Sequence, residues 1–152
     1  MVCLAEGEKD CDNLDSLQLF PEQPHLHVSA TCNFDGAWQP SQSPKWVEDY
    51  NPQFTGKFVL IFEDNDIPGR TWAEHIAASV YRYAAGVKII RLPGLLEHGD
   101  VSDWMLSHTV EQLREEIKKA PRWKPETKPL VQQVFINAAQ FVNTITVTMK
   151  ML

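Results

Sequence analysis

Apolar positions in this chain fall into short unbroken runs separated by longer amphipathic stretches. Residues 2–5 and 58–62 are apolar throughout, and 87–92 is nearly so. Such runs predict strands covered on both faces. Residues 26–31 alternate instead, with Leu26, Val28 and Ala30 set against His27 and Ser29, and predict a further strand. Between these runs the period changes. Over 10–19, Cys11, Leu14, Leu17 and Leu19 stand at near-helical spacing, and Phe20-Pro21 ends the helix. Pro68 opens a second helix over 68–85, with Trp72, Ile76, Val80 and Tyr83 as its inward stripe and Gly86 closing it. Helical segments are also expected over 104–106 and 110–119, the latter with Val110, Leu113 and Ile117 on one face. Residues 33–54 read as a long loop punctuated by Gly36, Pro40, Pro44 and Pro52 and studded with Trp38, Trp46 and Tyr50. This order predicts an α/β domain with a mostly parallel sheet and right-handed crossovers.

The expected domain spans 1–120. A Pro- and Lys-rich stretch, 121–129, has the composition of a linker. In the tail that follows, 131–142 has the pattern of an amphipathic helix and 144–148 alternates like a strand.

Composition narrows the picture. A chain of 152 residues is one domain by size, with apolar and charged fractions of a soluble protein. No apolar run reaches membrane-spanning length, and the first residues lack the layout of a signal peptide. Cys3, Cys11 and Cys32 show no paired spacing for zinc, so reduced thiols and a cytoplasmic location are expected, with Cys3 and Cys11 packing in a core. The net charge of −6 opposes a tight electrostatic clamp on a nucleic-acid backbone. It does not oppose phosphate chemistry through a divalent ion that relieves clustered carboxylates.

Three acidic motifs each follow an apolar run: Glu6-Gly7-Glu8-Lys9-Asp10, Asp64-Asn65-Asp66, and Asp100-Val101-Ser102-Asp103. Ligands of open α/β sheets bind beyond the carboxyl ends of the strands, where these motifs would lie. Asp64 and Asp66, two apart in extended chain, share a face and can reach one Mg²⁺ or Mn²⁺ ion. Gly69 leaves room for close backbone approach, and Arg70 is placed to fork a phosphate. The structural alternatives are simple. Asp66 serves equally as the cap of the 68–85 helix, Ser102 or Asp103 as a cap near Trp104, and Glu6 as a solvated, largely exposed strand end. Glu8 and Asp10 suit the first turn of a helix, with Asp10 standing behind the site. Gly7 leaves space beside a ligand. His98 lies near the third motif, where a solvated surface role is expected. Trp38 and Trp46 are candidates for stacking on a base, or for packing over the sheet edge.

In combination, Glu6-Gly7 with Asp10, then Asp64-x-Asp66-x-x-Gly69-Arg70, then the Asp100/Asp103 loop resemble the Toprim domain shared by primases, topoisomerases and several nucleases. The strings EGEKD, DNDIPGR and LPG…GDVSDW resemble most the Toprim domains of phage- and plasmid-type primase/helicase proteins. The resemblance covers about residues 2–120. It implies a compact Rossmann-like sheet of four parallel strands, with Glu6 as general acid/base and Asp64, Asp66, Asp100 and Asp103 holding Mg²⁺. It also implies nucleotidyl or phosphoryl transfer in DNA replication, with nucleotides and single-stranded DNA as ligands. The zinc module, further catalytic subdomain and helicase domain that accompany such primases are not in this sequence. The expectation is therefore a module working with a primase subdomain or helicase partner. A Toprim nuclease, or a non-catalytic single-strand or nucleotide-binding module, are the alternatives.

Overall fold

A computed structural model describes residues 1–126 of the chain. Strand β1 (Val2–Leu4) leads into helix α1 (Glu8–Ser16), then β2 (Ser29–Thr31), a 3-10 helix (Glu48–Phe54) and β3 (Phe58–Phe62). Helix α2 (Ile67–Val80), β4 (Gly86–Ile90), α3 (Val101–Met105) and α4 (Val110–Lys119) follow. The strands form one all-parallel sheet in the order β2-β1-β3-β4. The expected α/β architecture, four parallel strands flanked by helices, is the one observed.

Side-chain alternation along the strands divides the core into two layers. Val2, Leu4, Val59, Ile61, Val87 and Ile89 face one side, where Trp72, Ile76 and Val80 of α2 and Phe54 of the 3-10 helix cover them. Cys3, Ala5, Leu60, Phe62 and Ile90 face the other, against Cys11 and Leu14 of α1, Trp104 of α3, and Leu113 and Ile117 of α4. The central strands β1 and β3 are apolar because both of their faces are covered, whereas edge strand β2 keeps Thr31 exposed.

Several boundaries differ from the sequence pattern, each for a local reason. Helix α1 stops at Ser16 because Leu17 is extended (φ −84°, ψ 133°), yet Leu19 is still buried from that extended segment. Helix α2 ends at Val80, and Tyr83 is exposed in the following turn rather than on the inward stripe. Gly86 opens β4 instead of closing α2. A Cβ there would stand 3.0 Å from the Phe58 ring, so glycine lets the strand start against β3. Strand β2 keeps only three of its six expected residues; Leu26 instead closes a turn onto the Gln23 carbonyl. The stretch 33–54 is not structureless. It contains the 3-10 helix, and it buries Trp38 and Trp46 in the α2-side core, with Trp46 Nε1 donating to Asn51 Oδ1 at 2.8 Å. Both tryptophans therefore pack, and neither is open to a base.

Residues 121–126 carry no regular secondary structure but are anchored at Trp123. Its backbone N–H donates to the Val87 carbonyl of edge strand β4 at 2.8 Å, and its indole donates to Glu74 at 2.7 Å. The helix and strand expected at 131–142 and 144–148 lie outside the described residues. Among the described residues no helix is long and apolar enough to cross a membrane.

Candidate carboxylate site at the sheet edge

The strand order reverses at β1. The chain passes from β1 to β2 on one side, then crosses to β3 on the other. The gap beyond the carboxyl ends of β1 and β3 is thus the switch point at which such sheets bind ligands. Glu6 leaves the end of β1, and Asp64 leaves the end of β3. The paired strands deliver both carboxyls into that gap, where they line a cavity of about 380 Å³ with Asp10, Asn33, Phe34 and Gly36. That size lies within the range of small-ligand sites, ~300–1,000 Å³.

The two carboxyls lie close enough that each perturbs the other's ionisation, and a proton on one of them relieves their repulsion. Burial is the largest cause, and with the neighbouring Glu6 carboxyl it pushes Asp64 up to about 8. Burial also raises Glu6, partly offset by the Ala37 backbone amide. Glu6 is accordingly half-buried, not the exposed strand end expected from sequence. Asp10 and Asp66 add repulsion at Glu6, and Asp10 and Asp100 add it at Asp64. The carboxylates of all three motifs thus share one negative field.

Their contacts differ, however. Asp10 is 4% exposed and accepts a hydrogen bond from Ser102 Oγ, tying α1 to α3. Asp66 caps α2: its Oδ1 accepts from the Gly69 N–H at 2.7 Å, and its Oδ2 meets His98 Nδ1 at 2.9 Å. Asp100 caps α3 in a reciprocal box with Asp103, accepting the Asp103 N–H at 2.7 Å on Oδ1 and Lys9 Nζ at 2.8 Å on Oδ2. The cap falls on Asp100 and not on Ser102 or Asp103. Asp103 Oδ2 faces the Asp100 N–H at 3.3 Å from an exposed position and is not among the groups acting on Glu6 or Asp64.

The glycines and the arginine of the motifs are equally specific. A Cβ on Gly69 would stand 2.7 Å from the Asp64 carbonyl oxygen and 2.9 Å from Asp64 Cβ. Its lack of a side chain therefore lets α2 begin directly against Asp64, while its N–H is already taken by Asp66. Gly7 is the N-cap of α1 in extended backbone, with space for a Cβ 3.5 Å from Asp10. Arg70 is exposed, and its Nε donates to the Asp66 carbonyl at 3.0 Å.

Among the described residues, no group of three or more His, Cys, Asp or Glu side chains is drawn together tightly enough to enclose a metal ion. Glu6 and Asp64 nevertheless fit a hard cation in donor chemistry. They are oxygen ligands whose mutual repulsion only a proton relieves. Asp66 and Asp100 are near enough to act electrostatically, but each has both oxygens engaged elsewhere.

Sequence reasoning missed the groups that support this pair. Asn33 is buried at 3% exposure, accepts from Trp72 Nε1 at 2.5 Å, and donates to the Phe34 and Gly36 carbonyls at 3.0 and 2.9 Å. Lys9 holds Asp100, Ser102 holds Asp10, and His98, exposed as expected, holds Asp66. Each of them joins segments far apart in sequence, Lys9 and Asp100 among them. The one signal in the sequence is the Asp35-Gly36 pair, which marks a tight turn after Asn33.

The fold and site together define an open parallel α/β protein with a carboxylate pair at its switch point. No protein-family model and no curated protein matches the chain. Among solved structures, the chain is similar to the crystal structure of the Aquifex aeolicus primase, described as its zinc-binding and RNA polymerase domains. The match has a TM-score of 0.54 and 22% identity, over 80% of this chain and 26% of that one. The chain thus has a fold found in a primase and corresponds to about a quarter of that structure's length.

Proposed function

We propose that this chain is a Toprim-type catalytic module of a DNA primase-type protein, acting in replication by Mg²⁺-dependent nucleotidyl or phosphoryl transfer. The observation that carries the reading is the Glu6–Asp64 pair, two carboxyls held together at the switch point with Asp64 raised to about 8. Likeness of fold to the Aquifex aeolicus primase supports the same direction. Glu6 and Asp64 would hold the ion, and Asp66 and Asp100 would join it by exchanging His98 and Lys9 for metal. A bound Mg²⁺ would supply neutralisation of phosphate charge. Glu6, with its affinity for protons raised by burial, would move a proton at the reacting hydroxyl. Arg70, whose remaining guanidinium donors are free among the described residues, would pair with a phosphate. Nucleotides and single-stranded DNA are the proposed ligands, with a primase subdomain or helicase as partner.

Activity assays test this directly. With Mg²⁺ or Mn²⁺ and a primed single-stranded template, nucleotide incorporation supports the reading. Metal-dependent strand cleavage without incorporation would assign the same pair to a nuclease. Binding of single strands with neither activity would leave a non-catalytic module.

A further inference from the structure

The long loop beside the carboxylate pair buries its tryptophans, and of its two exposed aromatics Phe34, at 88%, is the more open, Tyr50 being 46% exposed. Phe34 lines the same cavity as Glu6 and Asp64. A large apolar side chain facing water is unfavourable on its own account, and here the surrounding loop fixes the backbone that carries it. Asn33, immediately before it, is anchored in the core by Trp72 and grips the Phe34 and Gly36 carbonyls from below. Asp35 and Gly36, immediately after it, both adopt left-handed backbone (φ 67° and 60°). Lys45 locks the turn from outside, donating to the Asp35 carbonyl at 2.7 Å and pairing with its carboxylate at 3.1 Å. A Cβ on Gly36 would meet Glu6 Cγ and Oε1 at 3.6 Å, so the turn rests directly on the catalytic candidate.

We infer that Phe34 is a stacking platform for a nucleobase whose phosphate is held at the Glu6–Asp64 site. This rests on the functional reading above and adds what recognises the base. An acidic pocket offers nothing to a base by charge. An aromatic ring carried on a fixed turn at the rim of the site offers a π-face, and stacking tolerates any base. The fixed turn reduces the ordering needed on binding. The base could belong to a free nucleotide or to a single strand, and the two are separable by ligand.

The experiment measures affinity in Mg²⁺ for four probes: oligo(dT), an abasic oligonucleotide of equal length, ATP, and inorganic triphosphate. Wild type, Phe34→Ala and Phe34→Tyr are compared. Because Phe34 is exposed, the alanine variant should melt as wild type does. The expected result is a loss of tenfold or more, on the order of one stacked base, for oligo(dT), ATP or both. The baseless probes should be unchanged, and Phe34→Tyr should restore affinity. Whichever base-bearing probe is affected identifies the source of the base. Equal affinity of wild type and Phe34→Ala for both base-bearing probes, with a Mg²⁺-induced rise in melting temperature intact, overturns the platform and leaves the metal reading standing. If wild type binds none of the probes and shows no Mg²⁺ shift, both fall.

Discussion

Two sets of acids stand at the same sheet edge and behave differently. Asp66 and Asp100 are satisfied: each caps a helix with one oxygen and meets a cationic or ionisable partner with the other. Glu6 and Asp64 stand together at the β1–β3 gap, where burial and each other's charge raise their affinity for a proton. Acidic motifs of similar appearance thus divide into groups that stabilise the fold and a pair that burdens it. Buried groups kept against their preferred ionisation are candidates for function. The contrast can be broken or sharpened by substitution.

The largest expected effect is on activity. Glu6→Gln should lower nucleotidyl transfer or cleavage on the order of a hundredfold or more. Its melting temperature should stay at or above wild type, because the change removes a charge that the fold resists. A sharp fall in melting temperature with unchanged activity per folded molecule would make Glu6 structural. Gly69→Ala comes next. Its methyl would meet the Asp64 backbone at 2.7 Å, and overpacking of this kind costs ~1–3 kcal/mol. Denaturant melts would register the loss, and activity should fall with it as Asp64 is displaced.

The caps should give the smallest effect. Asp66→Ala and Asp100→Ala should each cost ~0.5–2 kcal/mol, whereas Asp66→Asn and Asp100→Asn should retain most of the stability. If the asparagine variants are stable and fully active, these acids only cap. If they are stable but inactive, they join the ion during turnover.

The sheet is legible in the sequence because short runs that are wholly apolar, as at 58–62, or nearly so, as at 87–92, suit strands covered on both faces. The three acid motifs are legible as well, since each follows such a run. Their ranking is not. Asp64-x-Asp66 has the spacing of two ligands on one extended face, but Asp66 has already turned to cap α2, a choice that depends on Gly69 closing against Asp64. Nor does the local pattern show that Trp38 and Trp46 turn inward while Phe34 turns out. That depends on Asn33 reaching Trp72, 39 positions along the chain. Helix ends depart from the pattern where apolar spacing continues into extended chain, as at Leu17 and Leu19, or into a turn, as at Tyr83.

The central claim is that Glu6 and Asp64 form a strained pair awaiting a cation, and the titration of their carboxyls by NMR tests it most directly. In metal-free protein the pair should titrate as a coupled unit, with Asp64 retaining its proton to about pH 8. Because this folded-state value lies above the unfolded one, the folded chain binds more protons over the interval from the ordinary carboxylate range, about pH 4, up to 8. Stability from this pair should therefore fall as pH rises through that interval. Saturating Mg²⁺ should shift the titration to lower pH and restore stability at the upper end, and Asp64→Asn should abolish both effects. Carboxyls that titrate in the ordinary range, unmoved by Mg²⁺, would contradict the account.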